Sequence, residues 1–183
     1  RAFDAALNWA DDFWDEGPRG YPSLVLYSAG PGVGKTHLMV SIANHVIQTW
    51  EGDPRDAVCP LRFESGPGLV RRIRATYDIR ADDEMHEREE HVYAELRGVK
   101  LLMLDDVCKE APSRHTQEVY WYIIDERVKS GLPVVVTSRL SLAGRGSLEQ
   151  LMGEDTVDRL VGMTRGQVID MTGPSYRRRK LVP

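Results

Sequence analysis

The segment 29–36 constrains the fold of this chain more than any other, because it places a glycine-rich stretch and a Lys-Thr pair between two regular elements. The apolar run 24–27 before it predicts a buried strand, and the segment 35–50 after it predicts a helix. Glycines let backbone N–H groups converge, and a helix N-terminus adds free amides and a positive dipole end. A strand, loop and helix of this kind predict a phosphate-binding P-loop. The alternative, a glycine-rich turn that merely precedes Lys-Thr, is disfavoured by the flanking elements.

The side chains of this loop suit a nucleoside triphosphate. Lys35 would reach the β- and γ-phosphates, and the hydroxyl of Thr36 would bind magnesium. The first position of the motif carries Ala29 where glycine is usual, and the small side chain with Gly30 beside it should keep the turn accessible. The predicted nucleotide contacts in this segment are Ala29, Gly30, Pro31, Gly32, Val33, Gly34, Lys35, Thr36 and His37.

Two carboxylates follow the apolar run 101–104. Acidic groups at the tip of a buried strand are costly unless a cation faces them, and magnesium supplies one. Asp105 is therefore the predicted magnesium ligand, through water, and Asp106 the base that orients the attacking water. The alternative is a pair of helix-capping or solvated aspartates. Thr36 and Asp105 lie 69 positions apart, which leaves room for an extra strand and favours the additional-strand ATPases over compact nucleotide kinases.

Strands and helices alternate along the rest of the chain. Further strands are predicted at 61–64, 100–104, 134–137 and 168–171, and helices at 67–77, 83–97, 114–130, 147–152 and 154–161. This alternation predicts a three-layer α/β fold in which helices cover both faces of a five-stranded parallel sheet. A ligand should lie at the carboxyl ends of the strands.

The N-terminal segment 1–20 reads as a helix and a linker. Its apolar residues are spaced as one helical face: Phe3, Leu7, Ala10 and Trp14. Packing of this face against the domain and docking of a partner both remain open.

Length and composition predict one domain over residues 1–183. The formal charge of −4 gives no overall attraction to nucleic acid, so DNA contacts must come from local basic patches. No apolar run approaches the roughly 18 residues of a membrane span, and no signal-peptide pattern opens the chain. We therefore expect a cytoplasmic protein without membrane contacts. The chain begins at Arg1 without a methionine, which leaves an upstream partner-binding module open.

Five segments in one order carry a family resemblance: 27–38, 101–106, 134–138, 158–160 and 173–177. Together they resemble the AAA+ clade of DnaC-like replicative helicase loaders and IstB-like transposition ATPases. The resemblance implies a five-stranded additional-strand core with little or no helical lid. It also implies ATP-dependent assembly of identical copies on single-stranded DNA, beside a replicative helicase or a transposase.

The resemblance also implies roles for later residues. Arg159 matches the arginine finger, although an ordinary surface or ion-paired arginine is the alternative, and Arg177 matches the terminal arginine of the family. Relatives carry Asn or Asp after the Thr-Ser pair of the fourth strand, where this chain has Arg139. Ser138 or Thr137 is then expected to contact the γ-phosphate or water, and Arg139 to face a neighbouring subunit.

The helix 67–77 is the region where the resembling family contacts single-stranded DNA. Arg71 and Arg74 lie opposite its apolar side, and Arg72 lies on a flank. Helical spacing predicts an apolar side made of Leu69, Val70, Ile73 and Tyr77. A solvated helix face is the alternative for these candidate DNA contacts. The basic run 177–180 could serve the same purpose or act as a solubilising tail.

The sequence thus favours an ATPase that uses ATP and Mg²⁺ and acts as a helicase loader. An IstB-like transposition helper is the alternative. A small-molecule P-loop kinase is disfavoured by the double aspartate and Arg159. A scaffold that binds nucleotide without hydrolysis is disfavoured by the intact loop and acidic pair.

Overall fold

The computed structural model describes residues 2–52, 59–78, 88–107 and 111–179. Along the chain the elements are α1 Ala2–Asp11, β1 Leu24–Tyr27, α2 Lys35–Gln48, β2 Leu61–Ser65, α3 Gly66–Ala75 with a 3₁₀ turn Thr76–Asp78, α4 Glu89–Gly98, β3 Leu101–Asp105, α5 Arg114–Ser130, β4 Val134–Ser138, α6 Leu148–Met152, α7 Glu154–Thr164, β5 Val168–Asp170 and α8 Tyr176–Arg179.

The five strands form one parallel sheet in the order β2-β3-β4-β1-β5. The predicted α/β fold with a five-stranded parallel sheet is confirmed. Strands β3 and β4 are buried along their whole length, which agrees with their uninterrupted apolar sequences. Because all strands run the same way, the loops that follow β1, β3 and β4 meet at one edge of the sheet.

Apolar side chains cover the sheet on both faces. Leu102, Leu104 and Val136 belong to the layer beneath α3 to α7, and Met103 and Val135 belong to the layer beneath α1 and α2. The alternation follows the two-residue period of a strand. Both faces are therefore sealed, and a ligand can reach the strands only at their ends.

Helix α1 packs against the domain, but its buried face only partly matches the predicted one. Its buried residues are Ala6, Trp9, Ala10 and the following Phe13, whereas Phe3 and Leu7 are 60% and 39% exposed. Aromatic contacts of Trp9 and Phe13 with Tyr21 turn the helix toward this stripe. Two residues of the predicted stripe do pack on the core: Ala10 is buried, and the indole of the half-buried Trp14 donates to the carbonyl of Val46.

Arg127 joins three elements from inside the core. Its side chain is fully buried, and its guanidinium donates to the carbonyls of Leu96 and Val99 at the end of α4 and of Pro133 before β4. Burial lowers the pKa of Arg127, while hydrogen bonds to carbonyls favour the charged form. The arginine thus satisfies carbonyls that α4 and its loop would otherwise bury without a donor.

Replacing Arg127 should destabilise the fold because the three carbonyls lose their donors. We expect Arg127→Met to lower the free energy of unfolding by about 3 kcal/mol or more, measured by urea denaturation. Arg114→Met is the matched control, since the Arg114 side chain is 92% exposed, and its effect should stay within about 0.5 kcal/mol. Equal effects of the two substitutions would contradict this role for Arg127.

Candidate nucleotide-binding site

A cleft of about 540 Å³ opens at the carboxyl edge of the sheet. Residues 31–37 of the glycine-rich segment line one side of it, and Asp106, Arg139, Tyr176 and Arg177 line the rest. These residues follow β1, β3, β4 and β5, so the cleft lies where the parallel sheet predicts a ligand. Its volume falls in the range of small-molecule sites.

The loop exposes backbone amides at the start of α2. Gly32 and Gly34 adopt left-handed conformations, with φ of 74° and 107°, which side chains other than glycine rarely adopt. Gly34 is the N-cap residue and offers no side chain to the first-turn N–H groups of the helix. Those amides can therefore donate to an anion in the cleft.

The C-terminal segment folds over this loop. The backbone N–H of Tyr176 donates to the carbonyl of Gly32 at 2.9 Å, and a Cβ on Gly32 would lie 2.2 Å from the hydroxyl oxygen of Ser175. Gly32 is thus required for its backbone conformation and for this close approach. The contact brings Arg177 into the cleft, as its predicted nucleotide role requires.

Lys35 lies inside the loop. Its ammonium donates to the carbonyls of Ser28 at 3.0 Å and Gly30 at 3.1 Å. The side chain is buried, and the residue lines the cleft. Its positive charge is thus held by the loop from which it would meet phosphate oxygens.

Thr36 and Asp105 lie side by side. The Thr36 hydroxyl oxygen is 3.0 Å and 3.1 Å from the two carboxylate oxygens of Asp105. The Thr137 hydroxyl donates to the same carboxylate at 2.6 Å and accepts from the backbone N–H of Asp106 at 2.8 Å. Three segments distant in sequence thus meet around one buried carboxylate.

This arrangement fits a magnesium ion. Asp105 is buried, and the donors that reach its carboxylate from the described parts of the chain are neutral hydroxyls. A buried carboxylate without a cation is costly, and Mg²⁺ prefers oxygen ligands of this kind. The described parts contain no group of three or more His, Cys, Asp and Glu residues that could hold a metal ion by themselves, so the remaining ligands would be phosphate and water oxygens.

Asp106 occupies a strained position at the same edge. Its φ of 57° is in the left-handed region, which aspartate tolerates better than most residues. Its side chain lines the cleft, with one carboxylate oxygen 3.9 Å from Nε of Arg139. The carboxylate is thus placed beside the candidate phosphate site, where a catalytic base is needed.

The tip of β4 differs from the sequence prediction. Ser138 is fully buried, and its hydroxyl donates to the carbonyl of Val107 and accepts from the N–H of Leu140. The predicted nucleotide contact by Ser138 is therefore not supported. The Thr137 hydroxyl contacts Asp105, and Arg139 lines the cleft of its own chain. The expected contact of Arg139 with a neighbouring subunit stays a prediction.

Arg159 lies outside this cleft. It belongs to α7, its side chain is 42% exposed, and its Nη1 lies 3.0 Å from a carboxylate oxygen of Asp125 on α5. It lines a different cleft with residues that precede β1 and β4, at the amino edge of the sheet. A catalytic contact by Arg159 would therefore involve the nucleotide of another copy.

The candidate DNA contacts on α3 divide into two groups. Arg71 and Arg74 are exposed, as predicted. Arg72 is bound to carboxylates of Glu64 and Glu95 at 2.8 Å and 2.6 Å, which corrects the picture of a solvated flank. These acidic partners compete with DNA phosphates for Arg72, and no local sequence pattern predicts them.

The remaining predictions concern Tyr77, the basic run 177–180, the helix 83–97 and membrane spans. Tyr77 is 53% exposed and does not belong to the apolar side of α3, contrary to its assignment from helical spacing. Lys180 of the basic run and the helix start at residues 83–87 lie outside the described residues. No helix among the described residues is long and apolar enough to cross a membrane.

The parallel sheet, the glycine loop and the Thr36–Asp105 contact define a P-loop nucleotide-binding domain. Comparison with known families makes this specific, because residues 22–182 match the IstB-like ATP binding protein model. The chain belongs to this ATP-binding family.

Two similar proteins have names that refer to DNA replication. The chain is 31% identical over 121 residues to the chromosomal replication initiator DnaA of Chromobacterium violaceum. It is 27% identical over 135 residues to the replicative helicase loader DnaC of Buchnera aphidicola subsp. Baizongia pistaciae. These matches cover 66% and 74% of the chain, which spans only 23% and 49% of the two relatives.

Solved structures share the fold. A crystal structure of the DnaC helicase loader matches with a TM-score of 0.67 at 20% identity, covering 91% of this chain and 86% of the other. Domain III of DnaA from Thermotoga maritima matches with a TM-score of 0.68 at 22% identity, covering 98% and 65%. The sheet and helices therefore have the same fold as these two domains.

Thr137→Val should weaken magnesium binding with little change in shape, because Asp105 loses a hydroxyl donor and the Asp106 amide loses its acceptor. We expect the Mg²⁺ concentration for half-maximal ATP binding to rise about tenfold or more, measured by calorimetry. Thr76→Val is the control, since that buried hydroxyl bonds the carbonyl of Ile73 away from the cleft. An unchanged Mg²⁺ requirement in Thr137→Val would remove this threonine from the site.

Proposed function

We propose that this domain binds and hydrolyses ATP with Mg²⁺ and works as the motor of a DnaC-like replicative helicase loader. The observation that carries the ATPase proposal is the contact of Thr36 with Asp105, 3.0 Å apart, in the cleft that Asp106 also lines. Membership of an ATP-binding family and similarity to a curated DnaC support the rest.

The residues of the cleft divide the work of hydrolysis. The loop amides and Lys35 hold the triphosphate. Magnesium, held by Thr36 and Asp105, would neutralise charge on the β- and γ-phosphate oxygens. Water attacks the γ-phosphorus, a proton of that water passes to the Asp106 carboxylate, and the bond to the βγ-bridging oxygen breaks to give ADP and phosphate.

Two arginines extend this proposal beyond the acidic pair. Arg177 lies in the cleft of its own chain and would bind phosphate oxygens there. Arg159, at the amino edge, would act on the nucleotide of a neighbouring copy as an arginine finger. Hydrolysis would then depend on assembly of identical copies.

Single-stranded DNA is the proposed activator. Exposed Arg71 and Arg74 on α3 offer cations, and Tyr77 beyond the helix end is exposed beside His115, with ring centroids 5.5 Å apart. Cations next to accessible aromatic rings suit a strand whose bases stack. The ion pairs of Arg72 with Glu64 and Glu95 give it the weaker claim to DNA.

An IstB-like transposition helper is the second candidate, because the matching family model is described as IstB-like ATP binding protein. The two candidates differ in the partner protein. We expect affinity capture of the protein from its host, with ATP present, to recover a replicative helicase. Recovery of a transposase without a helicase would contradict the loader proposal in favour of the second candidate.

Lys35→Ala and Asp106→Asn should separate binding from turnover. Lys35→Ala removes the cation of the loop, and we expect ATP affinity to fall roughly 10- to 150-fold by calorimetry. Asp106→Asn keeps the loop and should retain ATP affinity while the hydrolysis rate falls about 10²-fold or more. Wild-type turnover in Asp106→Asn would remove it from the mechanism, and unchanged ATP affinity in Lys35→Ala would refute the loop assignment.

A further inference from the structure

A second cleft, of about 340 Å³, lies at the amino edge of the sheet. It is formed by the segments before β1 and β4 and by the C-terminal part of α7. Three glycines leave space in its wall: Gly20, Gly131 and Gly162. Three arginines also line it: Arg127, Arg159 and Arg165. No Asp or Glu of the described chain lines it, so the cleft favours an anion.

The three guanidinium groups differ in how far they are neutralised. Arg127 is fully buried, and its Nε has no hydrogen-bond partner among the residues described. Arg159 has one carboxylate partner, Asp125, which it shares with Lys129. Arg165 is exposed and makes no side-chain hydrogen bond or ion pair within the described ranges. Among the described residues that line this cleft, three carry positive charge and none carries negative charge.

The backbone of Arg165 is also unusual. It is the C-cap residue of α7 with φ of 49°, a left-handed conformation that glycine adopts at lower cost. Gly166 is the next residue, so a shift of the helix end by one position would place glycine there. Strained residues of this kind concentrate at functional sites, where their side chains are needed.

We propose that Arg165 acts together with Arg159 on the triphosphate bound by a neighbouring copy of this chain. The inference rests on the proposed ATPase function and extends it to a second arginine. Arg165 lines the cleft at the amino edge, whereas the glycine loop lines the cleft at the carboxyl edge. The four residues of β1 between these edges span roughly 13 Å, which places Arg165 to meet a nucleotide held by another copy.

The nucleotide of a second copy supplies the anion that the arginine cleft favours. The candidate nucleotide cleft is open at its own surface and would hold a triphosphate of several negative charges. Arg165, with an unpaired guanidinium, can offer two parallel N–H donors to phosphate oxygens. Arg159 would release or share Asp125 as it makes the same contact.

The first test compares hydrolysis rates over a range of protein concentrations. Arg165→Gln should keep the ATP affinity of an isolated copy but lose assembly-stimulated turnover by about tenfold or more, with Arg159→Ala as the reference for a lost finger. Arg114→Gln is the matched control, because Arg114 on α5 is highly exposed and lines neither cleft, and it should behave as wild type.

The second test mixes two inactive variants. Arg165→Gln has an intact nucleotide cleft, and Lys35→Ala has an intact arginine cleft. In a mixed assembly, Lys35→Ala copies present Arg165 to nucleotide held by Arg165→Gln copies, so turnover should reappear above the sum of the separate rates. A substitution that acts only within its own copy, or only on folding, would not be rescued in this way.

Three outcomes would overturn the inference. Wild-type concentration dependence in Arg165→Gln, with Arg159→Ala impaired, refutes Arg165 alone and leaves the proposed function standing. Absence of hydrolysis in the wild type at every concentration refutes the proposed function and the inference with it. Loss of affinity for a single-stranded oligonucleotide in Arg165→Gln, without rescue by mixing, would assign the anion to a DNA phosphate instead.

Discussion

The buried carboxylate of Asp105 is the group on which the nucleotide site depends. Hydroxyls of Thr36 and Thr137 meet it, so the glycine loop after β1 and the ends of β3 and β4 are tied at one point. The pairing of β3 with β4 and of β4 with β1 sets these distances. The carboxylate has only neutral donors in the described chain, which makes a divalent ion the natural completion of the site.

The two edges of the sheet carry different groups of residues that the proposed hydrolysis needs. The carboxyl edge presents amides, Lys35 and the acidic pair to a triphosphate, while the amino edge presents arginines that no nucleotide in the same chain can reach. A parallel sheet separates the two groups by the length of its strands. Hydrolysis that requires both groups would therefore require two copies, which couples turnover to assembly.

Local patterns made part of this predictable from sequence. Segment 29–36 follows strand β1, and Asp105 ends strand β3. Each is recognised from a short stretch of sequence, so the role of each can be predicted from a local motif. Thr137 acts through partners 31 and 32 positions away, and the approach of Ser175 to Gly32 depends on how the chain end folds back. Such contacts exist only once the sheet is formed. The ion pairs of Arg72 and the buried face of α1 also depend on contacts between distant segments, so local sequence patterns could not predict them.

A crystal structure with Mg²⁺ and a non-hydrolysable ATP analogue would show whether one divalent ion lies between Thr36 and Asp105 when a triphosphate occupies the loop. We expect a metal about 2.1 Å from the Thr36 hydroxyl oxygen, with Asp105 binding it directly or through one water. A metal held elsewhere, with Thr36 still bonded to Asp105 and the triphosphate outside the loop, would contradict this expectation.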